Sequence, residues 1–384
     1  MCPVDVCEKT MVGDGPLLDS LSAHGFSRRQ FVKYATGLAA TLALPLRFGA
    51  AVAQAFASVA RPRVVWLQFQ DCTGDSESAL RAGDPDIGEL ILRLVSWDYH
   101  EVLMAAAGEQ ATSLLDDAVK DGGYLCIVEG SIPSLEGACT IAGKSARQHL
   151  EEVGSRAAAI VNVGTCSAYG GIPRAHPNPT GALPTSSVVK GVPQINLPGC
   201  PVNAVTIVAT VGHFLTFGSL PECDDRGRPK FAYAKRIHDT CERRRFFDAG
   251  MFADAWGDEG HRNGYCLYRL GCKGPYTWNN CPVAGWNGTN QWPVRAGHTC
   301  FGCSEPGFWD SMEPFYGRLP QVGAFGHSAS PTTLGVGLLA ATAGVFAVHG
   351  AGKAVQHHRH AAEAEAAPAD ATPAPAPEEE EKPQ

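Results

Sequence analysis

After Cys223 the sequence turns to Gly, Pro, Asn, Trp and Cys with little hydrophobic periodicity. Such a segment cannot bury much apolar surface by regular packing, so an inorganic group is expected to organise it. The chain has 384 residues and 14 cysteines, too few for a disulfide mini-scaffold of that length. Nine of the cysteines fall between Cys72 and Cys303 in settings rich in Gly, Pro and His, which favours metal. Disulfides fit loop cysteines of this kind poorly, and their pairing is not readable from sequence.

Three constellations separate by spacing. The first joins Cys72-Thr73-Gly74-Asp75 with Gly164-Thr165-Cys166 and Pro198-Gly199-Cys200-Pro201. The second is His238-x2-Cys241 followed by Cys266-x5-Cys272, and the third is Cys281-Pro282 followed by Cys300-x2-Cys303. Iron–sulfur clusters need several thiolates converging from loops, with Gly giving close backbone approach and amide hydrogen bonds to sulfur. Tetrahedral zinc is the main alternative: His-x2-Cys with two later Cys would suit it, and a single Cys-x2-Cys pair is a weak signal. Cys126, Cys139 and Cys223 read as free structural thiols.

The stretch before Cys223 has another texture. Arg63–Phe69 reads as a buried parallel strand, followed by a polar turn over Asp71–Ser78 and a helical pattern around Ile87–Val95. Tyr124–Val128 and Ala158–Val163 read as further strands separated by helical stretches. Strand–helix alternation predicts an open α/β sheet with ligands at the carboxyl ends of the strands, where Cys72 and Cys166 fall. A net charge of −8 with no basic stripe argues against a nucleic-acid partner.

The two ends read as addresses. Ser27-Arg28-Arg29-Gln30-Phe31-Val32-Lys33, an apolar Ala-rich stretch from Tyr34 and small residues around Ala51–Ala55 resemble a twin-arginine export signal over residues 1–57. Thr332–Val348 is an uncharged run of about the minimum length to span a bilayer, so a membrane helix is expected over 332–349. A buried or interfacial helix is the other reading, because Gly and Ala dilute the run. Lys353, His357, His358, Arg359 and His360 follow it, which places the C-terminus in the cytoplasm. The Ala/Pro/Glu tail over 361–384 reads as disordered.

Seven segments closely resemble the small subunit of nickel–iron hydrogenases: DCTGDSES, VEGSIP, GTCSAYGGIP, INLPGCPVN, RIHDTCERRRFFDAG, GYCLYRLGCKGPYTWNNCP and WPVRAGHTCFGCSEPGFWD. The resemblance runs from about Arg61 to Gly326. It implies a flavodoxin-like α/β domain (61–225) followed by an irregular iron–sulfur domain (226–327). Carried over residue by residue, it assigns Cys72, Cys166 and Cys200 to a proximal [4Fe–4S] cluster. It assigns His238, Cys241, Cys266 and Cys272 to a distal [4Fe–4S] cluster, and Cys281, Cys300 and Cys303 to a medial [3Fe–4S] cluster. The nickel–iron site of the family is held by two Cys-x2-Cys pairs on a large subunit, so this chain is expected to need that partner. A quinone-linked membrane partner such as a cytochrome b is expected to accept the electrons on the periplasmic side.

The chain departs from the family at one cluster position. Where the family has Cys-x-Gly-Cys, this chain has Asp75, expected to be the fourth proximal ligand; the alternative is that another group completes the cluster and Asp75 only hydrogen-bonds. At Gly74 the oxygen-tolerant members carry an extra cysteine that this chain does not have. Glu77, beside the proximal loop, reads as solvated or capping rather than as a proton carrier. Histidines 349, 357, 358 and 360 read as flanking residues rather than haem ligands. Competing functions are hydrogen evolution by the same complex, a hydrogen sensor, a cluster-bearing component of complex I and a zinc-stabilised structural protein. The export signal and membrane helix speak against the sensor, and the Cys266–Cys303 region against complex I.

Overall fold

The computed structural model describes residues 62–83, 95–319, 322–324, 327–329 and 331–365, with isolated positions 37, 40 and 41. The Arg28–Arg29 pair, most of the 87–95 helical pattern and the tail beyond 365 lie outside the described residues. The chain divides after Leu319 into two compact units.

The first unit is built on a five-stranded parallel sheet of β1 (Arg63–Gln68), β2 (Ser96–His100), β3 (Leu125–Glu129), β4 (Ala159–Val163) and β5 (Gln194–Leu197). The spatial order is β2-β1-β3-β4-β5, the flavodoxin-like winding. Every neighbouring pair is parallel, with Leu67 opposite Val128 and Val161 opposite Ile195. Side chains alternate between the two faces. Val64, Trp66, Leu125 and Ile127 pack into one core with Ile207 and Val211 of α5 (Ala204–Phe217). Val65, Leu67, Cys126 and Val128 pack into the other with Leu115 of α2 (Glu109–Asp121) and Leu150 of α3 (Ala146–Gly154). Cys126 is a core residue and a free thiol, and Cys139 and Cys223 are free as well.

Two short helices start at the carboxyl ends of strands. α1 (Gly74–Leu80) follows β1, and α4 (Gly164–Tyr169) follows β4 without an intervening loop. Beyond α5 no helix in the first unit is longer than the five residues of Arg244–Asp248. This irregular lobe has two modest apolar nests: Ile237, Leu267, Leu270, Trp292 and Val294, which also take in Cys281 and Cys300, and Phe308, Trp309 and Met312 with Phe315. A buried ion-pair network ties the irregular lobe to the sheet lobe. Arg228 donates to Asp224 at 2.8 Å and to Glu305 at 3.0 Å, while Glu305 also accepts the Trp278 backbone N–H at 2.7 Å. Regular packing is thin here; polar ties take its place.

The second unit holds a hairpin of Val322–Ala324 and His327–Ala329 and then one helix, Pro331–Glu365. The hairpin begins inside the stretch that the sequence assigns to the cluster domain (226–327) and runs two residues past it. The helix outruns the expected 332–349 and takes in residues 361–365, which the sequence reads as tail. Ala and Glu, good helix formers, carry the helix on past the polar His357–His360 stretch. Leu334–Ala362 is long and apolar enough to cross a membrane, and its Leu338, Leu339, Phe346 and Val348 are exposed.

Candidate metal centre

The proximal constellation assembles where the sheet lobe's strands end. Cys72 follows β1, Cys166 sits in the first turn of α4, and Cys200 follows β5. Cys166 is half-buried and Cys200 is exposed at its surface, yet the desolvation each sulfur meets pushes its thiol up to about 12, and each feels Cys72 and Asp75. Asp75 is 8% exposed, and one carboxylate oxygen accepts the Val202 N–H at 2.7 Å. Burial, and then the nearby charge of Glu129, hold the Asp75 carboxyl well above the usual carboxylate range. Its other oxygen packs on Gly164, whose φ is +81°; a Cβ there would stand 1.9 Å from it. Gly171 makes similar room for sulfur, since a Cβ would fall 2.3 Å from the Cys166 Sγ.

Glu129 is the residue that sequence reasoning missed. It is fully buried and accepts the backbone N–H of Asp75 at 2.9 Å and of Ser76 at 3.1–3.2 Å. It also accepts the Trp66 indole N–H at 3.1 Å and the Ser76 hydroxyl at 2.5 Å. The carboxylate thus fixes the turn that presents Asp75. The one sequence signal was a charged residue closing an otherwise apolar strand. Glu77, by contrast, is a surface residue that pairs with Arg81 at 3.8 Å.

The medial constellation lines a cavity of about 470 Å³ bounded by Cys200, Cys281, Cys300 and Cys303 with Trp286, Trp292 and Phe301. Burial raises all three thiols, that of Cys281 to about 12. The Gly302 N–H points at the Cys300 sulfur at 3.4 Å. Amide donors of this kind stabilise sulfur in its anionic, metal-binding form.

The distal constellation brings Cys241, Cys266 and Cys272 within electrostatic reach of one another, with the His238 backbone and the Cys272 sulfur both against Gly274. Burial sets the Cys241 thiol at about 12 and the Cys266 thiol at about 11, and the three cysteines feel one another. Cys241 sulfur accepts the Arg243 N–H at 3.4 Å, and Cys272 sulfur accepts the Cys300 N–H at 3.4 Å. Burial, then the Arg244 charge, lowers His238, which keeps a ring nitrogen free of a proton for a ligand. The His238 ring lies edge-on to Phe247 at 4.6 Å.

The three constellations touch in sequence. Cys200 feels Cys303, and the Thr165 hydroxyl, next to Cys166, donates to the Cys303 carbonyl at 2.5 Å and accepts the Gly199 N–H at 2.9 Å. At the other seam, the Cys300 amide is bonded to the Cys272 sulfur. No three His, Cys, Asp or Glu side chains among the described residues converge closely enough to hold a single metal ion. In the medial constellation the thiols stand around a cavity of about 470 Å³, room for a multi-atom group. The residues fit iron–sulfur clusters.

Two family models divide the chain. Residues 72–214 match the family of the NADH ubiquinone oxidoreductase 20 Kd subunit, and residues 233–316 match the C-terminal family of NiFe/NiFeSe hydrogenase small subunits. The quinone-reactive Ni/Fe-hydrogenase small chain of Wolinella succinogenes is 47% identical over 341 residues, covering 86% of this chain and 96% of that one. The hydrogenase-2 small chain of Escherichia coli is 45% identical over 302 residues, covering 77% and 80%. Among solved structures, a chain of the [NiFeSe]-hydrogenase of Desulfomicrobium baculatum superposes with a TM-score of 0.63 at 32% identity, covering 68% of this chain and all of that one. The chain belongs to the nickel–iron hydrogenase small-subunit family. As such it transfers electrons in a heterodimer with a large subunit, and its family carries iron–sulfur clusters.

Proposed function

We propose that this chain relays electrons from hydrogen oxidation at a large-subunit nickel–iron centre to a quinone-linked membrane partner such as a cytochrome b. The observation that supports this is the unbroken order of the constellations, with Cys200 beside Cys303 and the Cys300 backbone N–H donating a hydrogen bond to the Cys272 sulfur. In this reading Cys72, Asp75, Cys166 and Cys200 hold a [4Fe–4S] cluster. Cys281, Cys300 and Cys303 hold a [3Fe–4S] cluster, and His238, Cys241, Cys266 and Cys272 hold a second [4Fe–4S] cluster. Clusters supply one-electron carriers whose potentials the surrounding amides and charges set. The chain's own residues fix the ligand loops and aim N–H groups at sulfur.

The body is assigned to the periplasmic face, exported through the Arg28–Arg29 signal and held by the Leu334–Ala362 helix. The name of the W. succinogenes relative supports the quinone-linked acceptor.

The deciding experiment is purification with the co-eluting large subunit, metal analysis and electron paramagnetic resonance. About eleven irons should lie on this chain, with a three-iron signal when oxidised and nickel only in the partner. Zinc in place of iron, or no three-iron signal, overturns the assignment. For Asp75, the Asp75→Cys variant should change the proximal spectrum and potential, because a hard oxygen donor is exchanged for a thiolate. An unchanged spectrum and potential would rule out ligation.

A further inference from the structure

Lys273 follows Cys272 directly and is completely buried. Its backbone N–H donates to the Cys300 carbonyl at 2.8 Å, and its own carbonyl accepts the Thr277 hydroxyl at 2.7 Å. The same Thr277 hydroxyl lies 3.8 Å from the Cys300 sulfur. The Lys273 ammonium donates to the Pro314 carbonyl at 2.7 Å and to the Gly317 carbonyl. No carboxylate among the described residues pairs with it; burial disfavours its charge, while the sulfurs of Cys272 and Cys300, anionic once they hold a metal group, favour it. Elsewhere in the first unit a buried cation is treated differently: Arg228 has both Asp224 and Glu305.

A buried ammonium without a counter-charge is costly, and two neutral carbonyls do not neutralise it. The sulfurs it feels belong to two different constellations, one on each side of the seam that the Cys300 amide bridges. We propose that Lys273 is the shared counter-charge of the distal and medial sites, a positioning residue that raises both reduction potentials. Adding an electron makes a thiolate-ligated site more negative, so a fixed positive charge nearby stabilises the reduced form of both. The proposal rests on the cluster assignment given above. It goes further by naming the group that sets the potentials at the medial–distal step.

The test compares Lys273→Gln, Lys273→Met and Lys273→Arg in the intact heterodimer, with potentials followed by paramagnetic resonance during redox titration. Glutamine can still donate to one carbonyl but carries no charge, and arginine keeps the charge. With iron content unchanged, Gln and Met should lower both potentials, cutting the reduced-to-oxidised ratio at a fixed poise at least tenfold, or about 59 mV for one electron. Arg should restore the original values. Distal and medial iron lost from Gln and Met but kept with Arg also supports the counter-charge. Potentials that stay within twofold in all three variants, or iron lost equally from all three, would leave Lys273 as a carbonyl anchor only. Wild-type protein without iron would instead sink the cluster assignment itself.

Discussion

At the residue scale the site depends on polar groups placed where water is absent. His100 is 1% exposed, and its Nδ1 accepts the Val102 and Leu103 N–H groups at 3.2 and 3.3 Å. Burial lowers its pKa from 6.5 to about 4. The unfolded chain therefore binds a proton below about 6.5 that the folded chain refuses until about 4. Stability from this residue is fully present above 6.5 and is lost as pH falls through that window, by an amount on the order of 3 kcal/mol. Asp71 and Glu101, both raised to about 7 chiefly by burial, work in the opposite direction over the same window. The comparison with His100→Gln isolates the imidazole: the urea midpoint of the wild type, taken relative to the variant's, should drop as pH is lowered from about 7 to about 4.5. Parallel curves would refute the assignment. The cysteines at Cys72 through Cys303 were readable in sequence because thiols in Gly/Pro loops are chemically conspicuous. Glu129, Thr165 and Lys273 were not, because each acts through partners made only by the fold: Glu129 lies 54 residues from Asp75, and Thr165 lies 138 from Cys303.

At the scale of elements, burial decides what the sequence discloses. β1, β3 and β4 are interior strands covered on both faces, so they read as continuous apolar runs. β2 (SWDYH) and β5 (QINL) are the two edges of the sheet, partly exposed and polar, and no run marks them. The C-terminal helix was legible in kind but not in length, because composition marks the apolar stretch while helix propensity sets the end. The joint between lobes rests on Glu305, which is 4% exposed and neutralises the 3% exposed Arg228. Glu305→Ala should cost about 3 kcal/mol, since it leaves a buried guanidinium short of one partner and the Trp278 N–H unpaired. Chemical denaturation would measure it. Replacing Arg228 by Met in addition to Glu305 by Leu should cost less than the single change, and equal costs would refute the clamp.

For the whole molecule, the proposed function gives electron transfer to the first compact unit and membrane attachment to the second. A helix of 35 residues is about 52 Å long, against about 30 Å of bilayer hydrocarbon. A chain ending at residue 330 should appear with its large subunit in the soluble fraction and still reduce an artificial dye with hydrogen. Persistence of that truncated pair in the membrane fraction would argue against the anchor. The irregular lobe carries a different consequence. Its helices are single turns of four or five residues, so a thermal scan of far-ultraviolet ellipticity would follow mainly the sheet lobe and the C-terminal helix and register the irregular lobe's unfolding only weakly. Bleaching of the brown chromophore is the signal that would register the other collapse, and the two curves need not share a midpoint.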